Sequence, residues 1–162
     1  MIGWPRDSRA GRPEAADRVV VSLGVPYGHG VSEAPIAFLK AVPLLSDVTE
    51  HDLRTLVPAL RRREFALGRR LTDEGEGGIG FFIIEAGSAA VSKAGLPVAT
   101  LGPGDYFGEV SLLAESDRSA TVVTASVLVC WVMTAWDFRP FVSSQPSVAL
   151  KLLEGLARQV AR

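Results

Sequence analysis

The residues with the most chemical potential stand close together: the run Phe107-Gly108-Glu109-Val110-Ser111-Leu112-Leu113, then Arg118-Ser119-Ala120 a few positions on. A glycine-rich turn, Leu101-Gly102-Pro103-Gly104-Asp105, leads into the first run. Such a turn entering a short helix leaves backbone N–H groups free at the helix start, where they and the helix dipole favour an anion. Arg118 adds a planar guanidinium, able to grip a phosphate through two parallel hydrogen bonds. Ser119 offers a hydroxyl or backbone donor. A carboxylate repels phosphate, so Glu109 serves better as an acceptor for sugar hydroxyls nearby. The two charges therefore suit opposite ends of a sugar phosphate. The plainer reading is a buried ion pair that ties helix to strand.

These residues lie where the chain reads as β-rich. Between Arg63 and Val132, short apolar runs alternate with glycine turns: Glu64-Phe65-Ala66-Leu67, Phe81-Phe82-Ile83-Ile84, Ala89-Ala90-Val91, Val98-Ala99-Thr100-Leu101, and Ala120 to Val132. Strands this short and evenly spaced predict a barrel or jelly roll. Helices flank them. A short one is expected from Ala34 to Ala41. A second runs from a Thr49 cap with Asp52 as its start signal, placing Leu53, Leu56, Val57 and Leu60 at helical spacing until Pro58 kinks or ends it. Beyond the strands, Trp136 to Val142 reads as a short helix. Ser147 to Arg162 reads as a longer one, with Ala149, Leu152, Leu153, Leu156 and Val160 on one face and a Glu154–Arg158 pair on another. The apolar face serves core packing first and homodimer formation second.

Composition narrows the function. The 162 residues carry 17 Lys and Arg against 18 Asp and Glu, a formal charge of −1, so no global basic field holds nucleic acid or an anionic membrane. The single cysteine, Cys130, excludes an intramolecular disulfide and lies in an apolar run, as a buried and inert thiol. No apolar stretch approaches the ~20 residues of a membrane span, and no signal-peptide core is present, which predicts a cytoplasmic protein. Residues 1–35, with five Gly, four Pro, and four Arg offset by four acids, read as a flexible tail, leaving 36–162 as the domain.

The run Phe107 to Leu113 with Arg118-Ser119-Ala120 resembles the phosphate-binding cassette of cyclic-nucleotide-binding domains, the family of bacterial catabolite activators, cyclic-AMP-dependent kinase regulatory subunits and nucleotide-gated channels. The resemblance runs from Phe38-Leu39 through Gly68, Glu74-Gly75-Glu76, Ile83-Ile84 and Gly87 to the final helix. It implies an eight-stranded β-barrel or jelly roll, mainly β, with short N-terminal helices and C-terminal helices. It implies that Glu109 accepts from the ribose 2′-hydroxyl, that Arg118 and Ser119 hold the cyclic phosphate beside Ala120, and that amides near Gly108, Val110 and Ser111 complete the cradle. Val91 and Ala99 would face the apolar side of the nucleotide. Ser119, where relatives selective for cyclic GMP often carry Thr, favours cAMP over cGMP. Asp117 stands where relatives commonly have Pro, and Ser111 where they commonly have Ala. The family often covers the base with the last helix or a segment beyond it, so a lid that is incomplete or borrowed is expected here.

The expected role is a sensor that signals by moving its C-terminal helices, with an effector that is a separate protein or part of a longer chain. No cofactor, metal site or catalytic residue is expected. A domain that kept the fold as an interaction module without ligand is the alternative. A cupin-like enzyme is disfavoured, because the strands carry no inward cluster of His and Glu. His29 and His51 read as surface residues, Glu74-Gly75-Glu76-Gly77-Gly78 as a turn, and Arg61-Arg62-Arg63 as a solvated helix end.

Overall fold

The computed structural model describes residues 35–78 and 80–160, so the expected tail over residues 1–35, apart from Pro35, lies outside the described residues, as does His29. Helix α1 (Ile36–Ala41) leads through a 3-10 turn at Pro43–Leu45 to α2 (Glu50–Leu56). The Thr49 cap forms as predicted: its hydroxyl oxygen accepts from the Asp52 N–H at 3.1 Å. Leu53, Leu56, Val57 and Leu60 are all buried. Pro58 sits in a 3-10 turn, Val57–Ala59, after which Leu60 takes extended dihedrals.

That early exit from the helix corrects the reading of the three arginines. Arg61, Arg62 and Arg63 belong to strand β1 (Arg61–Phe65), not to a helix end. The Arg62 guanidinium reaches across to the Glu85 carboxylate at 2.9 Å. The other strands are β2 (Arg70–Thr72), β3 (Gly80–Ala86), β4 (Ala89–Lys93), β5 (Leu96–Leu101), β6 (Tyr106–Phe107), β7 (Thr121–Thr124) and β8 (Leu128–Thr134). They make two four-stranded sheets, in the orders β1-β8-β3-β6 and β2-β7-β4-β5, with every pairing antiparallel. The architecture is mainly β with flanking helices and eight strands, of jelly-roll type, in two sheets that do not close into one barrel.

The first sheet is the middle layer. Because side chains alternate across a strand, Phe81, Ile83, Trp131 and Met133 point to the helices, where Leu39, Leu45, Leu53, Phe138, Val148 and Leu152 bury them. Ile84, Leu128 and Cys130 point the other way and meet Ala89 and Val122 of the second sheet. Central strands covered on both faces need apolar residues at every position, which explains the unbroken runs in β3 and β8, whereas the arginines of the edge strand β1 are exposed. The second sheet has one covered face, and its edge strand β5 is exposed from Leu96 to Thr100.

Two helices close the chain, α4 (Ala135–Ser144) and α5 (Pro146–Val160). The predicted apolar face of α5 needs correction: Val148 and Leu152 are buried and Leu156 half-buried, but Ala149 and Leu153 are exposed. The helix is rotated so that Lys151 reaches the N-terminal 3-10 turn, donating to Pro43 O at 2.8 Å and Ser46 Oγ at 2.6 Å and pairing with Asp47 at 2.7 Å. The predicted Glu154–Arg158 pair is absent from the ion pairs among the described residues.

Candidate anion-binding site

The segment between β6 and β7 folds as a turn, a helix and a loop. Tyr106 and Phe107 straddle the middle sheet, with Tyr106 against the helical core and Phe107 in the core between the sheets, stacked on Phe82 at a centroid distance of 4.6 Å. Gly108 follows with φ +94°, a conformation that L side chains avoid. A Cβ there would stand 2.4 Å from Gly80 O and 2.7 Å from Arg118 Nη1, so both the dihedral and the space demand glycine. Helix α3 (Glu109–Ala114) starts at once, and no side chain caps it. Its first N–H groups lack i−4 carbonyl partners within the helix, and those of Val110 and Ser111 are among the amides expected near the cradle. Leu112, 4% exposed, anchors α3 in the helical core.

Arg118 comes to this helix start from the loop before β7. It is 7% exposed, and its guanidinium donates to Gly108 O at 3.0 Å, Ser111 Oγ at 2.9 Å and Gly80 O at 2.8 Å. Its backbone is held from the other side: Arg118 N donates to Glu76 O at 2.8 Å and Gly75 N donates to Arg118 O at 2.9 Å. Burial lowers the Arg118 pKa, an effect that the charge of Glu109 opposes. Glu109, 8% exposed, has its pKa raised by burial, against the opposing pull of a backbone N–H and of Arg118. The two are neighbours without being a salt bridge: among the described residues, no ion pair within 4 Å includes either. The tie between helix and strand runs instead through Arg118 and neutral oxygens.

The remaining predicted residues take different places. Ser119 is exposed and Ala120 half-buried at the entry to β7. Val91 and Ala99 face each other across β4 and β5, and Val91 also pairs with Val122 of β7. Directly paired residues share a sheet face, and Val122 is in the core between the sheets, so Val91 and Ala99 lie on the inner face. Val91 is half-buried and Ala99 exposed, so this end of the inner face is open to solvent.

Sequence reasoning missed the glycines that admit the arginine. The segment Glu74 to Gly78 is a turn as read, but it also brackets Arg118. A Cβ on Gly78 would fall 2.2 Å from Nε and 2.6 Å from Nη2. Gly80 supplies a carbonyl acceptor. The density of glycine over 75–80 was the available signal. Thr72 also belongs here, donating to Ala120 O at 3.0 Å. Cys130 is fully buried with its thiol pushed up to about 12 by burial, as an inert thiol requires.

An uncapped helix start, a buried arginine and a glycine turn thus meet beside the two sheets. The family model of the cyclic nucleotide-binding domain matches residues 62–145, just over half of the chain, and the chain belongs to that family. The cAMP-dependent protein kinase regulatory subunit of Yarrowia lipolytica is 44% identical over 93 residues, 56% of this chain and 25% of that protein. The regulatory domain of Toxoplasma gondii protein kinase A, solved with cAMP, matches with a TM-score of 0.69 and 28% identity over 76% of this chain and 48% of that one. The regulatory subunit of a cAMP-independent protein kinase A from Trypanosoma brucei matches with a TM-score of 0.67 and 26% identity over 76% of this chain and 46% of that one. The chain spans about a quarter or less of the length of the curated relatives it matches. Among the described residues, no helix is long and apolar enough to cross a membrane, and no cluster of three or more His, Cys, Asp or Glu is placed to hold a metal.

Proposed function

We propose that this chain is a cyclic-nucleotide sensor that binds cAMP in preference to cGMP and catalyses no reaction itself. The observation that carries the reading is the buried guanidinium of Arg118, whose acceptors are all neutral oxygens. A buried charge held only by dipoles gains from a counter-ion, and a cyclic phosphate supplies one charge at that place. Amides of Gly108, Val110 and Ser111 and the hydroxyl or amide of Ser119 complete the phosphate site, with Ala120 behind them. Glu109 accepts from the ribose, and Val91 and Ala99 meet the base on the open inner face of the second sheet.

Binding signals through the C-terminal helices. Arg139 of α4 is ion-paired with Glu115, which ends α3 in a left-handed conformation, so a shift of the cassette pulls on α4 directly. The domain occupies 36–162 and acts in the cytoplasm on an effector protein, with the exposed side of α5 available for a homodimer. The kinase regulatory subunits among its relatives support a protein effector rather than nucleic acid or a membrane.

Calorimetric titration with cAMP and cGMP tests the reading. Saturable binding that Arg118→Ala weakens by about a hundredfold or more is expected. No binding to either nucleotide would favour the interaction module without ligand, a reading that the likeness to a cAMP-independent regulatory subunit keeps in play.

A further inference from the structure

The β4–β5 hairpin that carries Val91 and Ala99 is paired at its base and reaches beyond its neighbours at its tip. Strand β4 pairs with β7 from Ala89 to Ser92, and β5 pairs only with β4. A bulge interrupts the hairpin at the level of Val91: Val91 opposes Ala99 and Ser92 opposes Pro97, which leaves Val98 as the extra residue. A bulge bends its strand and disrupts the ladder locally, so pairing alone does not fix where the tip stands.

The tip is a two-residue turn, Ala94-Gly95, closed by the pair Lys93 and Leu96. Both turn residues have positive φ, 50° and 75°, as a type I′ turn requires. Alanine suits the first of these positions poorly, since Asn, Asp and Gly tolerate it better. The Ala94 N–H also falls outside the ladder of a two-residue hairpin. Glu74 takes it: the carboxylate Oε2 accepts from Ala94 N at 2.6 Å. Among the described residues, this is the hydrogen bond that joins residues 93–98 to anything outside the two strands.

Glu74 stands in the turn that brackets Arg118. Its own N–H donates to Thr121 Oγ1 at 3.0 Å, and Thr121 pairs with Ser92 of β4. The next two residues hold the arginine backbone, Gly75 N donating to Arg118 O at 2.9 Å and Arg118 N to Glu76 O at 2.8 Å. One short segment thus grips Arg118 with its main chain and the hairpin tip with a side chain.

We propose that Glu74 is a positioning residue of the nucleotide site: by holding Ala94 N it fastens the β4–β5 hairpin to the turn around Arg118, and so sets how closely the wall of Val91 and Ala99 approaches the base of a bound cyclic nucleotide. This inference rests on the proposed cyclic-nucleotide binding and gives a role to a residue read above only as part of a turn.

The test measures binding of cAMP and of a pyrimidine counterpart, cyclic CMP, to the parent chain, Glu74→Gln and Glu74→Ala by calorimetric titration and competition. A two-ring base covers more of the wall than a one-ring base, so the parent chain prefers cAMP. Glu74→Gln and Glu74→Ala remove the same charge, but glutamine keeps an oxygen that can accept from Ala94 N. Glu74→Ala should therefore bind cAMP about fivefold more weakly than Glu74→Gln, within the strength of the one hydrogen bond removed, with cyclic CMP changed by less than about twofold. Glu74→Gln should keep most of the parent preference for cAMP. A parent chain without that preference, two variants that bind cAMP alike, or a difference between them equal for both nucleotides would overturn the positioning role and leave the nucleotide reading standing. Failure of the parent chain to bind cAMP at all would overturn the nucleotide reading and this inference with it. Glu74 is exposed, so both variants should fold, and thermal unfolding checks that they do.

Discussion

Gly78 and Arg118 lie so close that a methyl group on the glycine would stand 2.2 Å from the guanidinium Nε. Flexible side chains often yield to such a clash, but this one is pinned by three hydrogen bonds. The clash therefore falls on the group proposed to hold the phosphate.

Gly78→Ala should therefore separate binding from folding. The turn at 78 is a surface turn, so the melting temperature should fall by only a few degrees, about what 1 kcal/mol produces in a domain of this size. Affinity for cAMP should drop by at least about tenfold as the guanidinium is displaced. Parallel calorimetry and thermal denaturation would measure both. A variant that binds like the parent would place the phosphate away from this edge.

Glu109 provides a test by pH. Burial raises its pKa above the ordinary carboxylate value, more than the Arg118 charge lowers it. The folded state then holds the proton more tightly than the unfolded state. The stability this contributes is full below the unfolded pKa and is lost as pH rises through the raised folded value. Glu109→Gln removes the loss, so the variant should melt higher than the parent near about pH 8 and the difference should shrink toward about pH 4. It should also bind cAMP less tightly, since an amide oxygen is a weaker acceptor for a ribose hydroxyl than a carboxylate. Equal melting curves across that range would refute the burial argument.

Lys151 is the third test. It joins the middle of α5 to the turn around Pro43, Ser46 and Asp47, and its charge and hydrogen bond hold the Asp47 pKa below the ordinary range. Exposed ion pairs add little to global stability, so Lys151→Ala should barely change the melting temperature. Amide hydrogen exchange in α5 should nevertheless speed up, because local opening no longer breaks the tie. Exchange unchanged in α5 would show that Val148 and Leu152 alone seat the helix.

Much of this molecule was legible in the chain. Thr49 with Asp52 announced a helix start, Pro58 its end, and the unbroken apolar runs of β3 and β8 announced buried strands, because capping, ring closure and side-chain alternation act over a few residues. Gly108, Glu109, Arg118 and Ser119 stood out by type and spacing as a candidate site, and the structure brings Gly108, Glu109 and Arg118 together. The burial of Arg118 and Glu109 without an ion pair did not stand out. Whether two charges meet depends on backbone carbonyls of Gly80 and Gly108 that compete for the guanidinium, and carbonyl positions carry no residue code.

The arginines of β1 show the same division. Three consecutive charges look alike at a helix end and on an edge strand, and only pairing with β8 and the reach of Arg62 to Glu85 decided between them. The face that α5 buries was decided in the same way, by where Val148 and Leu152 meet the helical core. The sequence by itself determined the start and end of the second helix, the apolar runs of β3 and β8 and the glycine turns between strands, since those preferences are local. The tertiary structure alone decided which oxygens the buried arginine takes, because those depend on contacts between segments far apart in the chain.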